Sequence, residues 1–248
     1  MPVDNETPTG VALRTRFFEH VAPADLEGRS DSALSAIAQG ALSFSVQRPL
    51  GEPAARVFNP SVESDGWTSR HTVVQACADD MPFLVDSVLG ELRQRDLRVH
   101  LLVHPQVVVR RSESGVEVVD TDSNGAPKDC EVESWMYLEI DRIPQDDKRA
   151  DLEGALKSVL VDVAHACADW RQMRKTCLEI VEEIKTAPPA SVDPATIEPT
   201  IEFLTWLEDN HFTFLGYGEY ELTEHEESPR CEPSPRPVLA SCGRRRPP

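Results

Sequence analysis

The stretch from His71 to Arg111, HTVVQACADDMPFLVDSVLGELRQRDLRVHLLVHPQVVVRR, constrains this chain more than any other. The β-branched run Thr72-Val73-Val74 leads to an acidic turn at Asp79-Asp80, and Pro82 follows. Apolar residues then recur at helical spacing: Phe83, Val85, Val88, Leu89 and Leu92. A second extended run begins at Leu97, carries Val99, Leu101 and Val103 through His104-Pro105, and continues as Val107-Val108-Val109. The spacing predicts a β-α-β unit whose candidate functional feature is the turn between its first strand and its helix.

The flanking patterns complete the sheet and its helices. Val11 to Val21 reads as a short amphipathic helix. Ser32 to Phe44 reads as a second, with Leu34, Ile37, Ala38, Ala41 and Leu42 on one side. Pro49, Pro53 and Pro60 around Arg56-Val57-Phe58 predict a short edge strand set in loop. Val116 to Val119 is expected to hairpin back on Val107 to Arg111, and Asp120 to Asp129 is loop. Ser134 to Ile140 alternates, with Met136, Leu138 and Ile140 on one face and Trp135 and Tyr137 on the other, so both faces of that strand are covered. From Asp146 to Thr186 the apolar residues step by threes and fours, which predicts helix throughout, with a break at Asp169-Trp170. Pro188, Pro189, Pro194 and Pro199 mark a linker, Thr200 to Asp209 a further helix, and His211 to Leu222 an extended segment.

The wording of four blocks resembles a known family. Asp-Asp-x-Pro-x-Leu-x-Asp after a valine-rich strand resembles the opening of ACT domains, small βαββαβ regulatory modules in which this turn often binds an amino acid. Residues 79–87 (DDMPFLVDS), 100–111, 133–142 (ESWMYLEIDR) and 211–217 (HFTFLGY), in this order, are similar to the N-terminal part of the large bacterial NAD-specific glutamate dehydrogenases. The resemblance covers most of residues 17–222. It implies an α+β, ACT-like fold with a mostly antiparallel sheet, packed helices and a helical extension. It also implies a catalytic domain far downstream and NAD as the cofactor of the full-length family, with none bound by this segment. The organisation expected is a helical segment over residues 1–66, an ACT-like domain over 67–168, a connector and linker over 169–199, the start of a second domain over 200–223, and a disordered tail over 224–248. That tail, with its closing Arg244-Arg245-Arg246, is expected to be a shifted reading frame or premature end, the alternative being a genuine basic tail.

Charge and motifs exclude several functions. A net charge of −18 opposes binding to nucleic acid or anionic membrane, which depends on neutralising phosphates with Lys and Arg. No run approaches the roughly 20 apolar residues of a membrane span, and residues 1–10 lack a leader pattern, so a cytoplasmic protein is expected. The six cysteines form no C-x-x-C pair, and Cys77, Cys167 and Cys177 read as small buried hydrophobes; no metal site is assigned. Gly216-Tyr217-Gly218 is the only near match to a dinucleotide fingerprint and lacks its third glycine. His100 and His104 are spaced i, i+4, but in a strand that spacing is about 13 Å, which suits sheet histidines rather than a metal pair. No catalytic residue is assigned.

The turn carries the one positive case. Asp80, Met81, Pro82, Phe83, Leu84 and Asp86 form the candidate effector site. The unpaired N–H groups at the helix start suit the carboxylate of an amino acid, and Asp80 or Asp86 suits its ammonium. The same residues also read as a plain helix start, with Asp80 as cap, Pro82 in the first turn and Asp86 as an exposed first-turn acid. The expected partners are therefore an amino-acid effector and, through an exposed sheet edge, a second copy or dehydrogenase subunits. The functional expectation is a regulatory and assembly segment of glutamate dehydrogenase. A free-standing amino-acid-binding module is the alternative.

Overall fold

The computed structural model describes residues 8–112, 115–119, 127–189, 192–223, 230–234 and 238–240. The chain divides into two compact units, Met1–Val161 and Asp162–Pro248. The first opens with α1 (Pro8–Phe17), a 3-10 turn at Pro23–Leu26 and α2 (Asp31–Gln47). Then come β1 (Ala54–Phe58), the single turn α3 (Val62–Asp65), β2 (Thr72–Asp79) and α4 (Leu84–Gln94). β3 (Val99–Val103), β4 (Gln106–Ser112), β5 (Gly115–Val118), β6 (Glu131–Ile140) and the start of α5 (Asp146–Thr186) complete it. Most of the 120–129 loop lies outside the described residues.

β2 and β6 are the central strands, buried on both faces and paired antiparallel from Thr72 opposite Ile140 to Asp79 opposite Glu133. On its other side β6 pairs with β3 over its C-terminal half and with β4 over its N-terminal half. The extended run 97–111 is thus two strands. Pro105 has no N–H to give the ladder, and its carbonyl accepts from Trp135 N at 3.1 Å. β5 hairpins onto β4 as expected. β1 forms the opposite edge, antiparallel to β2. In a βαββαβ order that edge would be filled by a strand following the second helix; here it is filled from upstream, while α5 runs on.

Side chains alternate across a strand, so the sheet has two apolar faces. One carries Val73, Cys77, Trp135, Tyr137, Leu101, Val103, Val107 and Val109, and it shares a core cluster with Leu13 and Phe17 of α1 and Ile37, Ala38 and Ala41 of α2. The other carries Val74, Ala76, Met136, Leu138 and Ile140. The buried leucines of α4 (Leu84, Leu92) and of α5 (Leu152, Leu156, Leu160) supply its apolar counterpart. Ser30 caps α2 by accepting from Ala33 N at 3.2 Å, which starts that helix at Asp31. α1 ends at Phe17 rather than Val21. Phe17 and the residue after the helix end, Phe18, are both buried, edge to face at 5.0 Å.

The break expected at Asp169-Trp170 is absent, and α5 is continuous over its 41 residues. Neither residue is a helix breaker, and one Asp in a helix costs well under about 1 kcal/mol against a second nucleation event. The second unit continues α5 through a 3-10 turn at Pro194–Thr196 into α6 (Ile197–Trp206) and a π-turn at Leu207–His211. α6 starts three residues earlier than its pattern suggested, after Asp193 Oδ1 accepts from Ala195 N at 3.0 Å. Two short antiparallel pairs follow: β7 (Gly216–Tyr217) with β10 (Leu239–Ala240), and β8 (Tyr220–Thr223) with β9 (Arg230–Pro233). β9 and β10 fall in the stretch expected to carry no structure; most of the rest of that tail lies outside the described residues. Among the described residues no helix is long and apolar enough to cross a membrane.

Candidate effector site at the Asp79–Asp86 turn

β2 delivers the chain to the turn from the middle of the sheet. Asp80 N donates to Val132 O at 2.9 Å, extending the pairing with β6 by one bond, and Asp80 Oδ2 accepts from Gln106 Nε2 at 2.7 Å. Met81 and Pro82 then turn the chain, and Phe83 takes the position before the helix with φ 71°. Left-handed backbone is costly for a residue with a Cβ. Phe83 adopts it while the residue is 48% exposed, so it is not drawn there by full burial.

This geometry replaces the plain-cap reading. The residue in the cap position is Phe83, which has no side-chain acceptor, so Asp80 is not the cap and Pro82 lies before the helix rather than in its first turn. Asp86 is, as expected, an exposed acid of the first turn. The first helical bond is Ser87 N to Phe83 O at 3.0 Å, and the N–H groups ahead of it have no intrahelical partner. Of the six sequence candidates, Asp80, Pro82, Phe83 and Asp86 are exposed and Met81 is partly covered. Leu84 is 2% exposed and belongs to the core, where it anchors the helix start.

Beside the turn is a buried polar cluster that sequence reasoning missed. Glu133 of β6 is fully buried. Its Oε1 accepts from Arg48 Nη2 at 2.8 Å and from Arg111 Nε at 2.7 Å. Its Oε2 accepts from Ser45 Oγ at 2.8 Å, Trp135 Nε1 at 2.7 Å and Cys77 Sγ at 3.3 Å. Burial pushes the Glu133 carboxyl up, but the donors from Arg48, Trp135 and Ser45 outweigh it and hold the group down at about 2. Burial and the adjoining carboxylate push the Cys77 thiol up, so it is an inert neighbour. Arg48 Nη2 also donates to Asp79 Oδ1 at 2.8 Å, which ties the end of α2 to the residue immediately before the turn. A second buried acid, Glu139, accepts both Arg29 nitrogens at 2.7 and 2.9 Å and the Tyr137 hydroxyl at 2.8 Å. The readable signal was the period of two: Glu133, Trp135, Tyr137 and Glu139 share one covered face of β6.

Other candidate features resolve into structure. His100 lies in β3, stacked on His71 at 4.1 Å with Nε2 2.7 Å from Asp141 Oδ1, and His104 pairs with Ser134 Oγ at the β3–β4 junction. Among the described residues no three His, Cys, Asp or Glu side chains gather as a metal site. Gly216-Tyr217-Gly218 leads from β7 toward β8 and not into a helix, so it does not fit a dinucleotide pyrophosphate. An open cleft of about 550 Å³ lies at the far end of α4, lined by Arg95, Leu97, Arg142, Lys148 and Asp151 among others, and none of the six turn residues lines it.

Comparison with known proteins agrees with this architecture. Residues 13–156 match the model of the family described as glutamate dehydrogenase, ACT1 domain. The chain is 36% identical over 228 residues to the NAD-specific glutamate dehydrogenase of Halomonas elongata, covering 89% of this chain and 14% of that protein. It is 34% identical over 229 residues to the NAD-specific glutamate dehydrogenase of Pseudomonas aeruginosa, covering 92% of this chain and again 14% of the relative. The chain thus spans about one seventh of the length of these relatives. With an antiparallel sheet carrying helices, a strand-turn-helix at the family's turn and a family match over more than half its length, the chain belongs to the glutamate dehydrogenase ACT1 domain family.

Proposed function

We propose that this chain is the N-terminal regulatory and assembly segment of a cytoplasmic, NAD-dependent glutamate dehydrogenase, with the catalytic chemistry supplied by the rest of that polypeptide. In the full protein the reaction is oxidation of L-glutamate by NAD and water to 2-oxoglutarate, ammonia and NADH. The segment's own part is to sense an amino acid at the Asp80–Asp86 turn and to pass that state to its neighbours.

The observation that carries the reading is the start of α4. Its cap residue, Phe83, makes no side-chain cap bond, and an exposed carboxylate, Asp86, stands in the first turn with the exposed Asp80 just before the helix. An α-carboxylate on those N–H groups would be favoured by the helix dipole, and the α-ammonium would be paired by Asp86 or Asp80. The Asp79–Arg48–Glu133 chain of hydrogen bonds supplies a route from the turn to the end of α2.

The test is a thermal-shift screen of the purified chain against the twenty amino acids, 2-oxoglutarate, NAD and NADH. A ligand at 100 times its Kd adds about 2.7 kcal/mol of stability. An amino acid that stabilises the chain, with the response abolished in Asp86→Ala or Asp80→Ala, supports the reading. Stabilisation by NAD alone, or no stabilisation by any amino acid, refutes it.

A further inference from the structure

α6 is apolar on two faces. Ile197, Ile201 and Leu204 fall on one side, which turns toward α5, where Cys177 Sγ meets Leu204 O at 3.5 Å and Arg174 Nε donates to Glu208 at 2.8 Å. On the opposite side stand Phe203 and Trp206, 57% and 48% exposed, their rings stacked at 6.2 Å. Trp206 stacks in turn on His211 at 4.9 Å, and Phe212, Leu215 and Tyr220 follow, each at least 60% exposed. A surface helix ordinarily turns one apolar stripe inward and polar residues outward, so Phe203 and Trp206 are a second apolar stripe that this unit leaves uncovered. Covered aromatic residues bury about 150–250 Å² each, so the half-exposed Phe203 and Trp206 offer about 200 Å² as one stacked patch.

We propose that this face is a docking surface for the remainder of the dehydrogenase polypeptide, which covers it in the assembled enzyme. A match covering 89% of this chain necessarily spans residues 203–220, so the stretch lies within the region aligned with the Halomonas elongata relative. The same stretch lies outside the ACT1 match at 13–156, so the exposed face is not part of that module's own core. Some six sevenths of the relatives' length lies beyond the matched region and is available to cover it. A second copy is the poorer occupant, because two chains of net charge −18 repel at long range. The acidic residues beside the patch, Glu202 and Asp209, call for Lys or Arg on the covering surface.

The inference rests on the dehydrogenase reading, and hydroxyl-radical footprinting tests it separately. The 248-residue chain is compared with a Pseudomonas aeruginosa dehydrogenase in which this chain replaces the matched region. Phe203 and Trp206 are expected to oxidise at least tenfold more slowly in the full-length protein. The corresponding stretch of the unmodified Pseudomonas aeruginosa enzyme is expected to be equally protected, relative to the same enzyme unfolded in urea. Oxidation at the same rate in both contexts overturns the proposal. So does protection already present in the isolated chain, whether it disappears with a dimer in Trp206→Ser, which names a second copy, or persists in a monomer, which names the chain's own tail. Glutamate-dependent NAD reduction by the chimera reads the underlying function independently: an active chimera with this face fully reactive removes the surface and leaves the function standing.

Discussion

Replacing Glu133 by Gln keeps the shape of the side chain and removes its charge. All five donors converge on its two oxygens, and the amide has one oxygen to offer. With that oxygen toward Arg48 and Arg111, Trp135 Nε1–H faces an NH₂ group; with the amide reversed, two guanidinium groups do. Arg48 is 3% exposed and keeps Asp79 as its remaining carboxylate. Breaking a buried pair from one side costs about 3–5 kcal/mol. The depression of the Glu133 carboxyl from 4.5 to about 2 corresponds to about 3 kcal/mol, so two routes agree in magnitude. Because the folded value lies below the unfolded one, this stabilisation is complete above about pH 4.5 and is lost as the pH falls toward 2. Urea unfolding followed by circular dichroism should therefore show Glu133→Gln destabilised by about 3 kcal/mol at pH 7, with the gap to the parent protein closing between pH 4.5 and 2. A gap below about 1 kcal/mol at pH 7, or one that stays constant down to pH 2, would refute the role given to this carboxylate.

Arg29→Ala should cost about 3 kcal/mol in the same assay, because it strands Glu139, which is 1% exposed, with only the Tyr137 hydroxyl for support. Arg29→Lys should recover only part of the loss, since both guanidinium nitrogens are used. Phe83→Gly should stabilise the chain by about 1 kcal/mol and raise Tm by a few degrees, through relief of the left-handed backbone at the turn; a lower Tm would mean that the ring is anchored. Burial and the facing His100 lower the His71 pKa, with Arg70 and Arg29 acting in the same sense and Glu139 against it. Its folded form therefore binds fewer protons than the unfolded chain, and stability falls as the pH drops below about 6.5. His71→Gln should flatten that loss, and a pH profile unchanged by the substitution would contradict it.

The strand-turn-helix at 71–94 was legible because three independent signals coincide there: a β-branched run, an acidic Pro-containing turn and leucines at helical spacing. Its helix start was misread because an Asp two residues before a Pro looks like a cap; the left-handed Phe83 that displaces it has no sequence signature. β1 was legible as an edge strand, but which edge it occupies depends on pairing with β2, a tertiary fact. The Glu133 cluster joins positions 45, 48, 77, 111, 133 and 135, and no local pattern links them. Half of it was nonetheless readable, since a carboxylate on the same covered face as Trp135 and Tyr137 must be buried and must be paired. α5 outran its expected break because a change of apolar pattern is not a helix stop in the absence of Gly or Pro.

The most direct test of the account is the rate of glutamate-dependent NAD reduction by the Pseudomonas aeruginosa chimera, with and without the amino acid that stabilises the isolated chain. A regulatory segment predicts an active chimera whose rate changes with that amino acid, and a response that disappears when Asp86→Ala is introduced. An active chimera whose rate is the same with and without the amino acid would contradict the regulatory role.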